Sequence, residues 1–378
     1  GTFAFNTTAA GDALAALLLG HVASASRAEV LEVVSNAATI GLFGQTDWKV
    51  HAKLTLNLGL RWDLDWPRWE EKNRQNSFDQ SAINPVCNCP GLITWSGRNG
   101  LSRYAHNFDK NNFGPRIGFA WNPAQKWVIR GGAAMVYIGA YDLATPIRFN
   151  IGFSSRVNLT SPDGGRTAAM RLLDGLPPVP LPKESDLVPG FGAVAIGAAP
   201  VLTPEFLEPT NRPTPYLETF NLNVERQLAG DVVVEVGYLG TLGHKLTPGG
   251  DNHSINQVPP DKIRPGNVQS LRPFPQFSDV VVVAHTIGNS AYHGMNLRVD
   301  KRFSKGLQFN ANYTWAKLID DVESRNELGG NAGSGAFADQ YNRQADRGLS
   351  GNHMAHRFIA STVWELPVGR KRLLSIEN

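Results

Sequence analysis

Between Lys53 and Trp66 the chain alternates without a break. Leu54, Leu56, Leu58, Leu60, Trp62, Leu64 and Trp66 hold every even position, and Lys53, Thr55, Asn57, Gly59, Arg61, Asp63 and Asp65 every odd one. A period of two belongs to an extended strand with one apolar and one polar face. The length is the constraint. Strands of globular domains usually run about 5–6 residues, whereas a tilted strand crossing a bilayer needs roughly 9–11. This stretch is either an unusually long strand of an ordinary sheet or one stave of a membrane barrel.

The pattern recurs along the chain. Ile40, Leu42, Gly44, Thr46, Trp48 and Val50 alternate with Gly41, Phe43, Gln45, Asp47 and Lys49. Only His51-Ala52 separates this run from the next, which predicts a hairpin with a tight turn. Alternation returns from Phe113 to Trp121, with Pro115 expected at the strand's start or at a bulge because it lacks an N–H. Trp127–Tyr137 follows after a short turn. A third, clear hairpin pairs Phe220–Glu225 with Val232–Tyr238, and a fourth pairs Met295–Asp300 with Leu307–Trp315. The last strand carries Phe358, Ala360, Thr362, Trp364 and Leu366 on one face. A further strand is expected near Ile147–Leu159. The apolar piece Val280–Ala284 is expected to prolong a hairpin outside the core.

Three regularities separate the two readings. Tight turns alternate strictly with loops of about 30 to 75 residues, the asymmetry of short periplasmic turns and long outer loops. The clean strands run to about ten residues or more, enough to cross a bilayer. Aromatic residues gather at strand ends on the apolar face: Trp48, Trp121, Trp127 and Trp364 beside the tight turns, and Trp62, Trp66, Tyr137, Tyr238, Tyr313 and Trp315 towards the long loops. Two belts of amphipathic rings are expected at two membrane–water interfaces. A β-sandwich or propeller accounts for alternation but for neither the loop asymmetry nor the belts. The fold class is therefore all-β: an antiparallel transmembrane β-barrel in an outer membrane, in contact with its lipid.

Composition agrees. Charged residues make up 18% of the chain, with 38 Gly and 24 Pro, a profile of strands and turns. No apolar run approaches the roughly 18 residues of a transmembrane helix, and a barrel leaves none because half of each strand faces a wet lumen. A net charge of +3 without a Lys/Arg stripe argues against nucleic acid as a partner. Cys87 and Cys89 sit one residue apart in a Pro/Asn-rich loop, where they form either a local staple or two exposed thiols; no second ligand pair follows for a metal. Ala13–Gly20 with Ala23-Ser-Ala25 imitates a secretory leader, but no basic region precedes it, so Thr8–Leu19 is expected to be a short helix or loop.

At these residues the chain resembles the TonB-dependent outer-membrane receptors, in particular the Oar-like, acidobacterial-type subgroup with an N-terminal carboxypeptidase-regulatory-like domain. The resemblance is carried by Phe43-Gly-Gln-Thr-Asp-Trp-Lys-Val50 leading into Leu54-Thr-Leu-Asn-Leu-Gly-Leu-Arg61, and by Gly114-Pro-Arg-Ile-Gly-Phe-Ala-Trp121 and Val128-Ile-Arg-Gly-Gly132. Tyr313-Thr-Trp-Ala-Lys-Leu-Ile-Asp-Asp321, His356-Arg-Phe358 with Glu365-Leu-Pro367, and Gly11–Gly20 extend it over nearly the whole chain. It implies a large plugged barrel that takes up a scarce or bulky ligand (an oligosaccharide, siderophore or peptide) using force from the TonB–ExbB–ExbD system. About ten strands are legible, against 22 in plugged outer-membrane transporters. Residues 1–378 are thus expected to be an incomplete barrel, a fragment lacking the plug and the C-terminal strands. Open strand edges cannot sit in lipid, so such a span is expected not to insert alone. The competing functions are a structural or adhesive outer-membrane barrel and a passive porin.

No catalytic constellation emerges, and neither an enzyme nor a cofactor is expected. His353 and His356 enter a strand rather than sharing a helical face. Asp320, Asp321 and Glu323 lack calcium-loop spacing and read as a solvated loop. The run Gly329–Gly335 lacks the Lys and the strand–helix setting of a phosphate loop. The ligand-binding candidates are loop residues. Trp69, Trp95 and Tyr104, with Arg68, Arg98 and Arg103 nearby, suit stacking on sugars or gripping an anionic chelate; alternatively they pack their own loop.

Overall fold

The computed structural model describes residues 1–139, 149–247, 252–304, 306–321, 337 and 339–368. Its frame is a ten-stranded antiparallel sheet of nine long strands and the two-residue strand Gly348–Leu349. The long strands are β1 (Ser35–His51), β2 (Leu54–Glu70), β3 (Asn112–Trp121), β4 (Trp127–Tyr137), β5 (Tyr216–Gln227), β6 (Val232–Leu246), β7 (Gly288–Ser304), β8 (Leu307–Asp320) and β9 (His356–Trp364). Each pairs with the next in sequence, an up-and-down meander. Because neighbours run antiparallel, all the tight connections fall at one end and all the long loops at the other. β1 and β9 are each paired along one side only among the described residues, so the barrel is not closed.

The register carries the sequence alternation intact across the sheet. Trp48, Leu56, Phe119, Gly131, Leu222, Tyr238, Met295, Trp315 and His356 face one another strand by strand on one face. On the other face a matching row reads Lys49, Thr55, Ala120, Arg130, Asn223, Gly237, Asn296, Thr314 and Arg357. The apolar row starts near the turn end at Trp48 and finishes towards the loop end at Trp315. Such a climb is the stagger that closing a sheet of tilted strands requires.

The apolar face has nothing packed over it. Leu42, Leu60, Ile117, Leu222, Val236 and Phe358 are exposed, Phe358 to 68%. An apolar face spread over nine strands is far larger than the exposed patches of ordinary globular surfaces. The rings at its two margins are held in place. At the loop end Trp62 stacks on Phe113 at 5.5 Å and donates its indole N–H to the Lys110 carbonyl at 2.8 Å. Tyr137 packs on Tyr216 at 5.6 Å, while Tyr313 and Tyr238 bond His356 and His293. At the turn end the Arg226 guanidinium lies 4.7 Å over Trp127.

Several strands outrun the sequence pattern, β1 starting at Ser35, β6 reaching Leu246 and β7 filling Gly288–Ser304. β2 runs on past Trp66 through Pro67 to Glu70, and β9 ends at Trp364 rather than Leu366. Pro115 sits inside β3, opposite Leu60 of β2; on the β4 side the ladder starts only at Arg116, so the missing N–H falls where β4 is not yet paired.

The long loops fold together into one body with its own core. Ser24–Val30 pairs with both Thr2–Ala4 and Ser154–Thr160, and His21–Val22 with Met170–Arg171. The strand expected near Ile147–Leu159 is thus found as Ser154–Thr160, the first residues of that stretch lying outside the described ones. Asn76–Asn84 and Cys89–Trp95 form a hairpin that the aperiodic sequence concealed, with a Cys87–Cys89 disulfide at its tip. Helix Ala13–Leu18 is started by Asp12, whose carboxylate accepts from the N–H groups of Leu14 and Ala15. Val280–Ala284 does not lie outside the core, as its sequence suggested. Val281–Val283 is the middle strand between Glu205–Phe206 and Asn252–Ser254, and both of its faces are buried. Val280 and Val282 pack with Phe78, Trp95, Phe206 and Phe277, and Val281 and Val283 with Phe149 and Leu207. A continuous apolar run is what a strand covered on both sides needs.

Candidate functional site

The loop body stands on the end of β2. Glu70 is 1% exposed, and its carboxylate accepts from the backbone N–H groups of Val34 (3.0 Å), Lys72 (2.8 Å) and Arg74 (2.6 Å). This buried anion ties three separate backbone donors to the strand, and hydrogen bonds to charged groups are the strong ones. Sequence reading missed Glu70, which sits beside Glu71 in an apparently ordinary charged loop; the alternation breaks after Trp66, where Arg68 and Glu70 take the apolar register and Trp69 the polar one, so no local pattern marked it.

Above this joint opens a cleft of about 450 Å³, lined among others by Phe78, Asp79, Trp95, Tyr104, His106 and Glu208. Its apolar wall comes from the Phe78 and Trp95 core and from Tyr104, which is exposed. Its polar wall holds two carboxylates. Asp79 accepts from the N–H groups of Ser81 and Ala82 and from the Ser81 hydroxyl, bonds that together hold its carboxyl below the ordinary range against the opposing effect of partial burial. Glu208 accepts from the Thr210 hydroxyl and from the Gln80 amide. A ring stacked on Tyr104 would have hydroxyl acceptors within reach.

Only two of the six loop candidates line this cleft. Trp95 is 3% exposed, donates to the Ile151 carbonyl at 2.9 Å and meets Phe191 edge-on, so it is a core residue with one edge on the cleft. Tyr104 forms an isolated bridge with Trp69 and an edge contact with its ring at 6.1 Å. Arg68 is buried over Phe149, Arg98 pairs with Glu184 at 2.8 Å and lies over Phe153, and Arg103 donates to the Glu70 carbonyl. Those contacts are internal to the loop body.

Asp320 and Asp321 are not the solvated loop their composition suggested. Asp320 is buried, and Asp321 accepts from the backbone N–H of Asn289 and pairs with Arg343; Glu323 and Gly329–Gly335 lie outside the described residues. His353 accepts the Leu318 N–H at its Nδ1, and His356 is the first residue of β9. Deeper in the loop body the His253 and His285 rings stack at 5.0 Å with their Nδ1 atoms 2.7 Å apart. Burial pushes both down to about 4, and the nearby Arg343 adds to it. Among the described residues no group of three or more His, Cys, Asp or Glu is placed to hold a metal ion.

The polar face of the sheet is laced with ion pairs: Arg61 with Asp63, Arg130 with Glu225, and Arg298 with Asp300. A charged, hydrated interior, an apolar exterior and a folded body over one end describe a membrane barrel. The match to known sequences agrees, covering residues 1–378 with the outer membrane beta barrel domain.

The chain belongs to that family.

The barrel therefore resides in the cell outer membrane of a Gram-negative type of bacterium, with short periplasmic turns, long extracellular loops and its apolar face on lipid. No curated protein matches it. Among solved structures it is similar to the alcaligin outer-membrane receptor FauA of Bordetella pertussis, with 13% identity, a TM-score of 0.37, and coverage of 88% of this chain and 35% of that one. It is also similar to the pyoverdine receptor FpvA of Pseudomonas aeruginosa, with 9% identity, a TM-score of 0.34, and coverage of 76% and 26%. For the copper transporter OprC the figures are 11%, 0.34, 75% and 30%. The chain spans about a third or less of the length of each of these.

Proposed function

We propose that the barrel is the membrane-spanning part of a TonB-dependent uptake receptor of the Oar-like subgroup. The loop body captures a large or scarce ligand outside the cell, and the polar face of the sheet lines its way in. The observation that supports this most is the pairing of a hydrated ladder of ion pairs inside the barrel with a folded, cored body across its outer end. A passive pore needs the first and not the second. In this reading the cleft between Tyr104 and the Asp79–Glu208 wall suits a hydroxyl-rich ligand such as an oligosaccharide, because carboxylates accept from hydroxyls while an aromatic ring covers a sugar's apolar face. A plug and a TonB-engaging segment belong to the same proposal, as parts of the protein that contains this span.

The test is growth of cells carrying the complete gene on a panel of oligosaccharides, ferric siderophores and peptides as sole source, with and without TonB. One class should support growth only when both gene and TonB are present, and Tyr104→Ala should weaken capture of that ligand about tenfold or more. Growth indifferent to TonB on every member of the panel refutes the reading.

A further inference from the structure

Glycines inside the strands of this sheet differ in surroundings: a Cβ at Gly114 or Gly132 would press on a neighbouring backbone carbonyl, and one at Gly44, on the apolar face, would meet nothing. At Gly41, Gly131, Gly237, Gly240 and Gly294 a neighbour's side chain lies where a Cβ would project: Arg61, Phe119, Asn223, Phe220 and Tyr292 respectively. There the missing side chain is filled from next door. Gly59 and Gly118 are different. An added Cβ would meet nothing nearer than 3.5 Å at Gly59 and 3.4 Å at Gly118, ordinary contact distances. Neither has the positive φ that would demand glycine. Glycine inside a strand weakens it, and where neither conformation nor packing requires one it marks close approach of another group to the backbone.

The two lie on adjacent strands and on the polar face. Gly59 is opposite Arg116, and Gly118 is opposite Asn57 on one side and Gly132 on the other. Together they floor a hollow of about 380 Å³ rimmed by Asp47, Asn57, Arg116 and Asn221. The rim's two charges, Asp47 and Arg116, are not paired with each other. Asp47 is engaged by the Asn57 amide at 2.6 Å. Arg116 is exposed and forms no ion pair among the described residues, although Arg61, Arg130 and Arg298 on the same face are all paired. An unpaired planar fork beside bare backbone is matched by a carboxylate, which takes two parallel hydrogen bonds from it.

We propose that this hollow is a solute station on the lumen wall, holding a carboxylate on Arg116 while the flat part of the solute lies on Gly59 and Gly118. It rests on the reading of the lumen as the solute's path. Sugar acids and peptides with a free C-terminus share the chemistry.

The complete protein bearing Gly118→Cys, in isolated outer membranes, tests it through the rate of labelling by a small charged thiol reagent. Probes are galacturonate, its methyl ester, trialanine and trialaninamide. At least one acid should slow labelling threefold or more and its ester or amide should not; in Arg116→Gln, measured against that variant's own rate without solute, the protection should be gone. Which acid protects identifies the source of the carboxylate. Asn223→Cys, on the same face two strands from Gly118, should be labelled at the same rate throughout. Labelling that no acid slows overturns the station and leaves the open lumen standing, as does protection equally strong with ester or amide or in Arg116→Gln. A thiol in the Gly118→Cys protein that the reagent never reaches overturns both.

Discussion

Arginine placed at successive heights on the apolar face of β2 measures whether that face meets lipid. On this strand Leu54 is in register with Trp121 of the turn-end belt, and Trp62 is in register with Phe113 at the loop-end belt. Eight residues separate the two levels, roughly 27 Å at about 3.3 Å each, or about 20 Å along the barrel axis after a tilt near 40°. That fits inside an apolar band about 25 Å tall. Leu58 lies halfway. Leu58→Arg should therefore cost about 2–4 kcal/mol, falling to about 0–1 at Leu54→Arg. At about 1.4 kcal/mol per decade, the mid-membrane change is roughly a 30- to 1000-fold loss in the folded-to-unfolded ratio. Asn57→Arg, one residue away on the wet face beside Asp47, should cost under about 1 kcal/mol, since it exchanges one hydrogen bond to that carboxylate for another. Denaturant unfolding of the complete protein in lipid vesicles reads all three. A cost that follows height, with its peak at Leu58, is the mark of a bilayer; equal costs at Leu58 and Asn57, or no decline towards Leu54, would sink the assignment.

Two further outcomes concern the loop body. Phe78 is 1% exposed and meets Phe274, Phe206 and Phe277 at 5.2, 5.4 and 5.8 Å, so Phe78→Ala should destabilise the body by about 3–5 kcal/mol. Limited proteolysis should then cut the loops while the barrel keeps its heat-modifiable mobility; loops as resistant as before would show that Phe78 is not central. His253 and His285, lowered to about 4 from the ordinary 6.5, bind fewer protons folded than unfolded between those values. Their contribution is present above pH 6.5 and is lost as pH falls towards 4. Protease susceptibility of the loops should climb across that window and flatten in the double variant His253→Leu, His285→Leu, and an unchanged profile in that variant would assign the acid sensitivity elsewhere.

The frame was legible because each strand meets two uniform surroundings, lipid and water, and a period of two records that directly. Leu54 to Trp66 states its two environments residue by residue. The loop body obeys no such rule. Its strands are two to nine residues long, and their partners come from distant loops, as when Ser24–Val30 waits for Ser154–Thr160. Short segments packed on several sides lose periodicity, which hid the Asn76–Trp95 hairpin and made Val280–Ala284 look like an outlying flap. Of the six loop candidates, only Trp95 and Tyr104 line the cleft. Trp95 and Arg68 are the residue types that bind ligands and also the types that fill cores, and only the fold separates these uses. The acidic wall, Asp79 and Glu208, comes from two loops far apart in sequence, and no local pattern joins them.

The middle strand Val281–Val283 lies between Glu205–Phe206 and Asn252–Ser254, and Asn76 holds the Glu205 carbonyl through its side-chain amide. Three loops are stitched at one seam, so an insertion, deletion or exchange in any one of them leaves the other two with unmet partners. Recombination among relatives would have to carry the loops as a set to keep the body intact. Point changes on the cleft's rim at Tyr104 and Thr210 are freer, since neither residue joins one loop to another. The barrel's outer face is in this sense inherited whole and retuned at its edges.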